Sequence, residues 1–198
     1  MVDTVDAVEV ENSDANITLH VGFLLMPEYT LSTFSNAVSV LRMANRLSGR
    51  ELYRYSVFSL NGEPVISSSG IELVLDGSIK SLGDMNVLMV CGGYNIKNYC
   101  TKPVVDALRA MDKKKIPLGG MCTGSYVLAA AGLLDGYRST IHWENIASMR
   151  EQFPKLNISS SLFVIDRNRY TCSGGISSID LMLNLVASIH GHQLVQQI

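Results

Sequence analysis

The strongest constraint in this 198-residue chain is a pair of short apolar runs that each meet glycines. Val87-Leu88-Met89-Val90-Cys91 holds no polar side chain and is followed by Gly92-Gly93. Ile116-Pro117-Leu118 leads into Gly119-Gly120-Met121. A strand that shows water neither face has no reason to alternate polar and apolar residues. Such runs belong inside a parallel sheet covered by helices on both sides.

The remaining pattern agrees. Residues Ile17 to Met26 alternate like a strand and stop at Pro27. Phe34, Val38, Leu41 and Asn45 form a helical stripe that ends at Gly49. Tyr53 to Leu60 reads as a strand closed by Asn61-Gly62. Val65–Ser67 and Glu72–Leu75 read as a small hairpin around Ser69-Gly70. A helix is expected over Pro103 to Met111, with proline in its first turn. Others are expected over Ser125 to Ala131, Glu144 to Gln152 and Ser177 to His190. Arg138 to Ile141 reads as a short strand, Leu162–Asp166 with Arg169–Cys172 as a hairpin. Ser177 and Asp180 fit the S-x-x-D helix-start signal. The alternation predicts one α/β domain, a doubly wound parallel sheet with helices on both faces, over residues 17–198. Residues 1–16, acidic and polar, are expected to be a disordered lead-in rather than a secretory signal.

Composition narrows the function. Hydrophobic residues make up 47% and charged residues 17%, with a net charge of −2. This is a globular composition without a basic stripe, so the chain itself is not expected to grip nucleic acid. No apolar run approaches the about 18 residues that span a membrane. Four cysteines, Cys91, Cys100, Cys122 and Cys172, fit neither a zinc spacing nor a dense disulfide framework. Reduced thiols in a cytoplasmic protein, with no metal and no cofactor, are the simplest expectation.

In parallel α/β sheets ligands bind beyond the carboxyl ends of the strands. That rule nominates Met26–Ser32, Gly92–Asn95, Cys122–Gly124 and His142–Glu144, with Gly174-Gly175 as a fifth segment. Gly120-Met121-Cys122-Thr123-Gly124 has the form of a nucleophile elbow with cysteine as the nucleophile. A helix beginning there would lower the thiol pKa and attract anions. A buried structural cysteine at a glycine-rich turn fits the same residues. Gly92-Gly93 could bring backbone amides to a ligand as an oxyanion hole does, or could serve only a tight turn. His142 could act as a base. Trp143, the one tryptophan, could wall a pocket or stack on a cation, and equally the pair could mark a helix start. Lys113-Lys114-Lys115 reads as a solvated helix end.

Four segments together resemble a known family: MPEYTLSTFSNAVSVLRMANRLSGRELY (26–53), VCGGYN (90–95), GGMCTGSYVLAAAGLLDGYRSTIHWEN (119–145) and RYTCSGGISSIDLMLNLV (169–186). In this order they resemble the PfpI/ThiJ branch of the class I glutamine amidotransferase-like superfamily. Within it they resemble the N-terminal domain of GlxA-type AraC-family transcription regulators. The resemblance implies a flavodoxin-like sheet, a Cys122 elbow over a pocket, and a gene that continues into a helix-turn-helix domain, through which alone the protein would bind DNA. Two positions depart from the enzymes of the branch. Thr123 stands where hydrolytic relatives commonly place histidine after the nucleophile, and Thr33 stands where isonitrile-hydratase-like members carry aspartate. Glu28 lies nearby but at a different motif position.

These losses favour binding over turnover. The expected function is small-molecule sensing by a homodimeric regulator, with Cys122 a vestigial nucleophile. The expected ligand is an amino acid or a betaine- or carnitine-like zwitterion. Its site would be lined by Tyr29, Gly93, Tyr94, Cys122, Thr123, His142, Trp143 and Glu144. Cys122 would be the most reactive thiol without supporting efficient hydrolysis. The competing readings are a stand-alone cysteine enzyme of isonitrile-hydratase or amidase type, and a thiol-based stress protein.

Overall fold

A computed structural model describes residues 18–198; the acidic lead-in and Ile17, the expected first residue of the first strand, lie outside them. The chain runs β1 (Leu19–Leu25), α1 (Leu31–Ser48), β2 (Tyr53–Ser59), β3 (Val65–Ile66), β4 (Glu72–Leu73), β5 (Gly77–Ser78) and β6 (Val87–Cys91). It continues through α2 (Ile96–Tyr99), α3 (Lys102–Lys113), β7 (Leu118–Met121), α4 (Gly124–Ala130), β8 (Arg138–Ser139), α5 (Ile146–Gln152) and β9 (Asn157–Ile158). It ends with β10 (Phe163–Asp166), β11 (Arg169–Cys172), α6 (Ser177–His190) and α7 (His192–Val195). Seven strands form the main sheet in the order β10-β11-β7-β6-β1-β2-β5. All of its pairings are parallel except the β10–β11 hairpin. The fold is the doubly wound parallel sheet that the sequence pattern predicts and the flavodoxin-like sheet that the resemblance implies. No helix among the described residues is long and apolar enough to cross a membrane.

The period-2 geometry of a strand sorts β6 between two cores. Val87, Met89 and Cys91 face α1 and α6, where Phe34, Ala37, Leu41, Leu181 and Met182 pack. Leu88 and Val90 face the other way, onto Val104 and Leu108 of α3 and Val127 and Leu128 of α4. The five residues are all buried, which is why this run carries no polar residue.

Two expected helix starts differ. The helix expected from Glu144 begins at Ile146, after a 3₁₀ turn over Trp143–Asn145. The S-x-x-D signal at α6 does not operate as a cap. Ile176 is the N-cap, and the Ser177 hydroxyl donates to Gly174 O at 2.8 Å and lies 3.1 Å from Ser173 Oγ. Its oxygen is engaged with the preceding turn, so it does not accept from the helix backbone.

One buried charge ties the far end of the sheet together. The Arg169 side chain is 3% exposed and pairs with Asp112 of α3. It also donates to Leu133 O at 2.7 Å and Asn168 O at 3.2 Å, and its guanidinium lies 4.7 Å from the centre of the Tyr137 ring. Removing one partner of such a pair leaves a charge without compensation. Asp112→Ala is expected to lower unfolding free energy by about 3 kcal/mol, measured by urea denaturation; a loss under about 1 kcal/mol would show that the backbone carbonyls alone hold Arg169.

Candidate functional site

Cys122 follows the last residue of β7 with φ at +57°, a conformation that costs a non-glycine residue of order 1–3 kcal/mol. Neighbouring backbone holds it there. Its N–H donates to Cys172 O at 3.0 Å, and its carbonyl accepts from His142 N–H at 3.3 Å. Gly174 lies against the thiol. A Cβ on that residue would stand 2.7 Å from Cys122 Cβ and 3.1 Å from Sγ, and its φ of +90° suits glycine alone.

The preceding strand ends in an equally close approach. A Cβ on Gly92 would lie 2.4 Å from Gly124 N, and one on Gly93 1.8 Å from Glu28 O. Gly92 N–H donates to Met121 O, and Tyr94 N–H to Glu28 O. The glycines are therefore needed for backbone packing, and the Gly92 and Tyr94 amides are not free to act as an oxyanion hole.

Two threonines at helix N-caps direct their hydroxyls into the site instead of capping. Thr30, before α1, places Oγ1 3.4 Å from Cys122 Sγ. Thr123, before α4, donates from Oγ1 to Gly93 O at 2.7 Å. Thr33 does not reach the thiol. It is fully buried and accepts from Gly175 N–H at 2.7 Å, while Asn36 Nδ2 donates to Gly175 O at 3.2 Å. Helix α1 thus grips the Gly174-Gly175 turn that backs Cys122.

A cleft of about 590 Å³ opens over the thiol, within the range of small-molecule sites. Of the eight expected residues, Gly93, Tyr94, Cys122, Thr123, His142, Trp143 and Glu144 line it. Tyr29 does not: its ring is fully buried edge-on to Phe34, with centroids 6.0 Å apart, and only its backbone meets Gly93. Thr30, Ser68, Asn95, Lys97 and Asn145 also line the cleft and are not among the eight, although Asn95 lies in the nominated segment Gly92–Asn95. Thr30 lies in a nominated loop. Lys97 stands on α2, four residues long and entered from Asn95 at φ +52°, with no capping signature to find.

The expected acidified thiol is not what the site provides. Burial pushes the Cys122 thiol above its ordinary value of 9.0; hydrogen bonds from Thr30 and the Thr123 N–H oppose this, and the Glu144 charge adds to it. α4 is only seven residues long, and desolvation is the largest of the influences on the thiol. Cys91 and Cys172 are fully buried, with Cys172 pushed up to about 11. Cys100 is half-buried and thus more exposed than Cys122, which is 5% exposed. The His142 ring makes no hydrogen bond to the sulfur: its Nδ1 faces Glu144 Oε2 at 3.8 Å and its ring leans on Trp143. Thr30 is the one side chain hydrogen-bonded to Sγ among the described residues.

Residues 20–188 match the DJ-1/PfpI family, and the chain belongs to it. It is 45% identical over 174 residues to the HTH-type transcriptional regulator GbdR of Pseudomonas aeruginosa, covering 88% of this chain and 47% of that protein. It is 44% identical over 176 residues to the HTH-type transcriptional regulator CdhR of the same organism, covering 89% of this chain and 52% of that one. The crystal structure of an AraC family transcriptional regulator from Pseudomonas putida superposes with a TM-score of 0.82 at 32% identity, over 90% of this chain and 96% of the other. The chain spans about half the length of the curated relatives it matches. The likeness to AraC-type regulators that the four motifs suggest is thus matched by proteins of that description.

Thr30→Val removes the hydrogen bond that counteracts burial at Cys122. Its alkylation by iodoacetamide, followed by mass spectrometry of the Cys122 peptide, is expected to have a pH midpoint above 9.0 in the wild type and higher still in the variant. A midpoint near 7 in either protein would restore the acidified thiol.

Proposed function

We propose that this chain is the small-molecule-sensing domain of an AraC-type transcription regulator, and that the cleft over Cys122 binds a small zwitterionic metabolite without turning it over. The observation that carries the reading is the hydrogen bonding of Cys122: among the described residues its sulfur meets a threonine hydroxyl and no base, and burial pushes the thiol above its ordinary value. Cysteine-dependent hydrolysis needs a thiolate and a positioned proton acceptor, the latter typically contributing 10²–10⁴-fold. The regulator relatives, about twice the length of this chain, support assigning DNA binding to a segment outside these residues.

The cleft has the components a betaine- or amino-acid-like ligand requires. Trp143 is 69% exposed and Tyr94 66% exposed, although both are large aromatic residues. Ring faces beside the Glu144 carboxylate suit an ammonium head. Both rings line the cleft rather than standing on an outer face.

A thermal-shift screen of quaternary amines and amino acids tests the reading. A ligand at about 100 times its Kd adds about 2.7 kcal/mol to stability. For a domain of this size that raises Tm by roughly 5–10 °C. The opposite result is no shift across the panel together with robust turnover of an amide or isonitrile that disappears in Cys122→Ser. That would make the chain an enzyme.

A further inference from the structure

Formal charge in the cleft is sparse and divided. Among the described residues that line it, Lys97 is the one lysine or arginine and Glu144 the one acid. They arrive from opposite flanks of β7. Lys97 follows β6, the neighbour of β7 on one side. Glu144 follows the 138–140 segment, which is bonded to the strands beyond the other side: Arg138 N–H donates to Asp166 Oδ2 of β10 at 2.7 Å, and Thr140 N–H to Thr171 Oγ1 of β11 at 2.9 Å. Cys122, just past the end of β7, lines the same cleft as both residues.

Neither charge is neutralised by a strong partner. No described acid lies within ion-pair distance of Lys97. Its ammonium instead stands 5.7 Å from the centre of the Tyr126 ring, whose hydroxyl accepts from Gln152 Nε2 at 2.8 Å. The one described cation candidate within ion-pair distance of Glu144 is His142, at 3.8 Å. The segment carrying Lys97 is firmly built. Glu28 Oε2 accepts from Asn95 Nδ2 at 2.9 Å and from Tyr99 Oη at 3.3 Å, bracketing α2 at both ends. Glu28 and Asn95 both hold positive φ, at 59° and 52°, strain that persists only where surrounding contacts enforce it.

The elbow gives a carboxylate little to bind. The Thr123 N–H is directed at the Cys122 sulfur, the Cys122 N–H at Cys172 O, and Gly124 N is covered by Gly92. An anionic group entering the cleft therefore finds one formal positive charge, on a flexible stem able to reach it.

We propose that Lys97 is the specificity residue that reads the ligand's carboxylate, so that the Lys97 and Glu144 pair lining the cleft with Cys122 selects zwitterions over simple amines. This rests on the reading of the cleft as a small-molecule site. It assigns the carboxylate to α2 rather than to the elbow, and the ammonium to the Trp143–Glu144 side.

Calorimetric titration with two probes of equal head group tests it: trimethylglycine, which carries the carboxylate, and choline, which carries a hydroxymethyl group instead. The wild type is expected to prefer trimethylglycine by about 10- to 100-fold, the value of a charge-assisted hydrogen bond. Lys97→Met should bring the two probes to near parity, chiefly by weakening trimethylglycine, and Lys97→Arg should keep most of the preference. Lys97 is exposed, and retained choline binding reports an intact site. A full preference surviving in Lys97→Met overturns the role of Lys97 while leaving the binding cleft standing. Failure of the wild type to bind either probe, or its equal affinity for both, overturns the zwitterion reading itself.

Discussion

The backbone of Cys122 is the point on which the site depends. Its N–H reaches across to β11 at Cys172, and its carbonyl receives the N–H of His142. These two hydrogen bonds join the end of β7 to the turn before α6 and to the segment that carries Trp143 and Glu144. Cys122 makes both while holding a positive φ. This packing also explains the glycines around it: Gly92 and Gly174 let the flanking chains approach within distances that any Cβ would occupy. The cleft is thus assembled from backbone contacts, with the side chains left free to face a ligand.

The same close packing decides the chemistry of the thiol. A sulfur at a strand end with a helix following it would be acidic if water reached it. Here the Gly174 turn packs against the sulfur and leaves the residue 5% exposed, and desolvation prevails over the hydrogen bonds from Thr30 and Thr123. A protonated thiol is a small, weakly polar floor for a pocket. Thr33 completes the change. Where an acid could reach toward the sulfur, its hydroxyl instead holds Gly175, and through it the entrance to α6. The geometry of an elbow is kept, and among the described residues the side chain hydrogen-bonded to its sulfur is a threonine.

Much of this was legible in the chain. The buried apolar runs identified β6 and β7 because a strand packed on both faces cannot carry polar residues. The rule that ligands gather at strand carboxyl ends brought Gly93, Tyr94, Cys122, Thr123 and the His142–Glu144 segment together. What escaped were features governed by tertiary contact. The Tyr29 ring turns toward Phe34, a choice between core and cleft that a single aromatic in a loop does not reveal. α2 has no periodicity to detect in four residues, so Lys97 went unseen. The pKa direction of Cys122 followed local dipole reasoning and was reversed by burial, which depends on segments 52 and 92 residues away in sequence.

Trp143 is the only tryptophan in the chain and stands 69% exposed at the cleft, so its emission reports occupancy directly. Titration of the wild type and of Cys122→Ser with a quaternary-ammonium carboxylate is expected to give a saturable blue shift in both proteins, with affinities within about threefold, because binding requires no nucleophile. No change in Trp143 emission at millimolar ligand, or a change that is lost when the sulfur is removed and is accompanied by product formation, would contradict the account of this cleft as a sensor site.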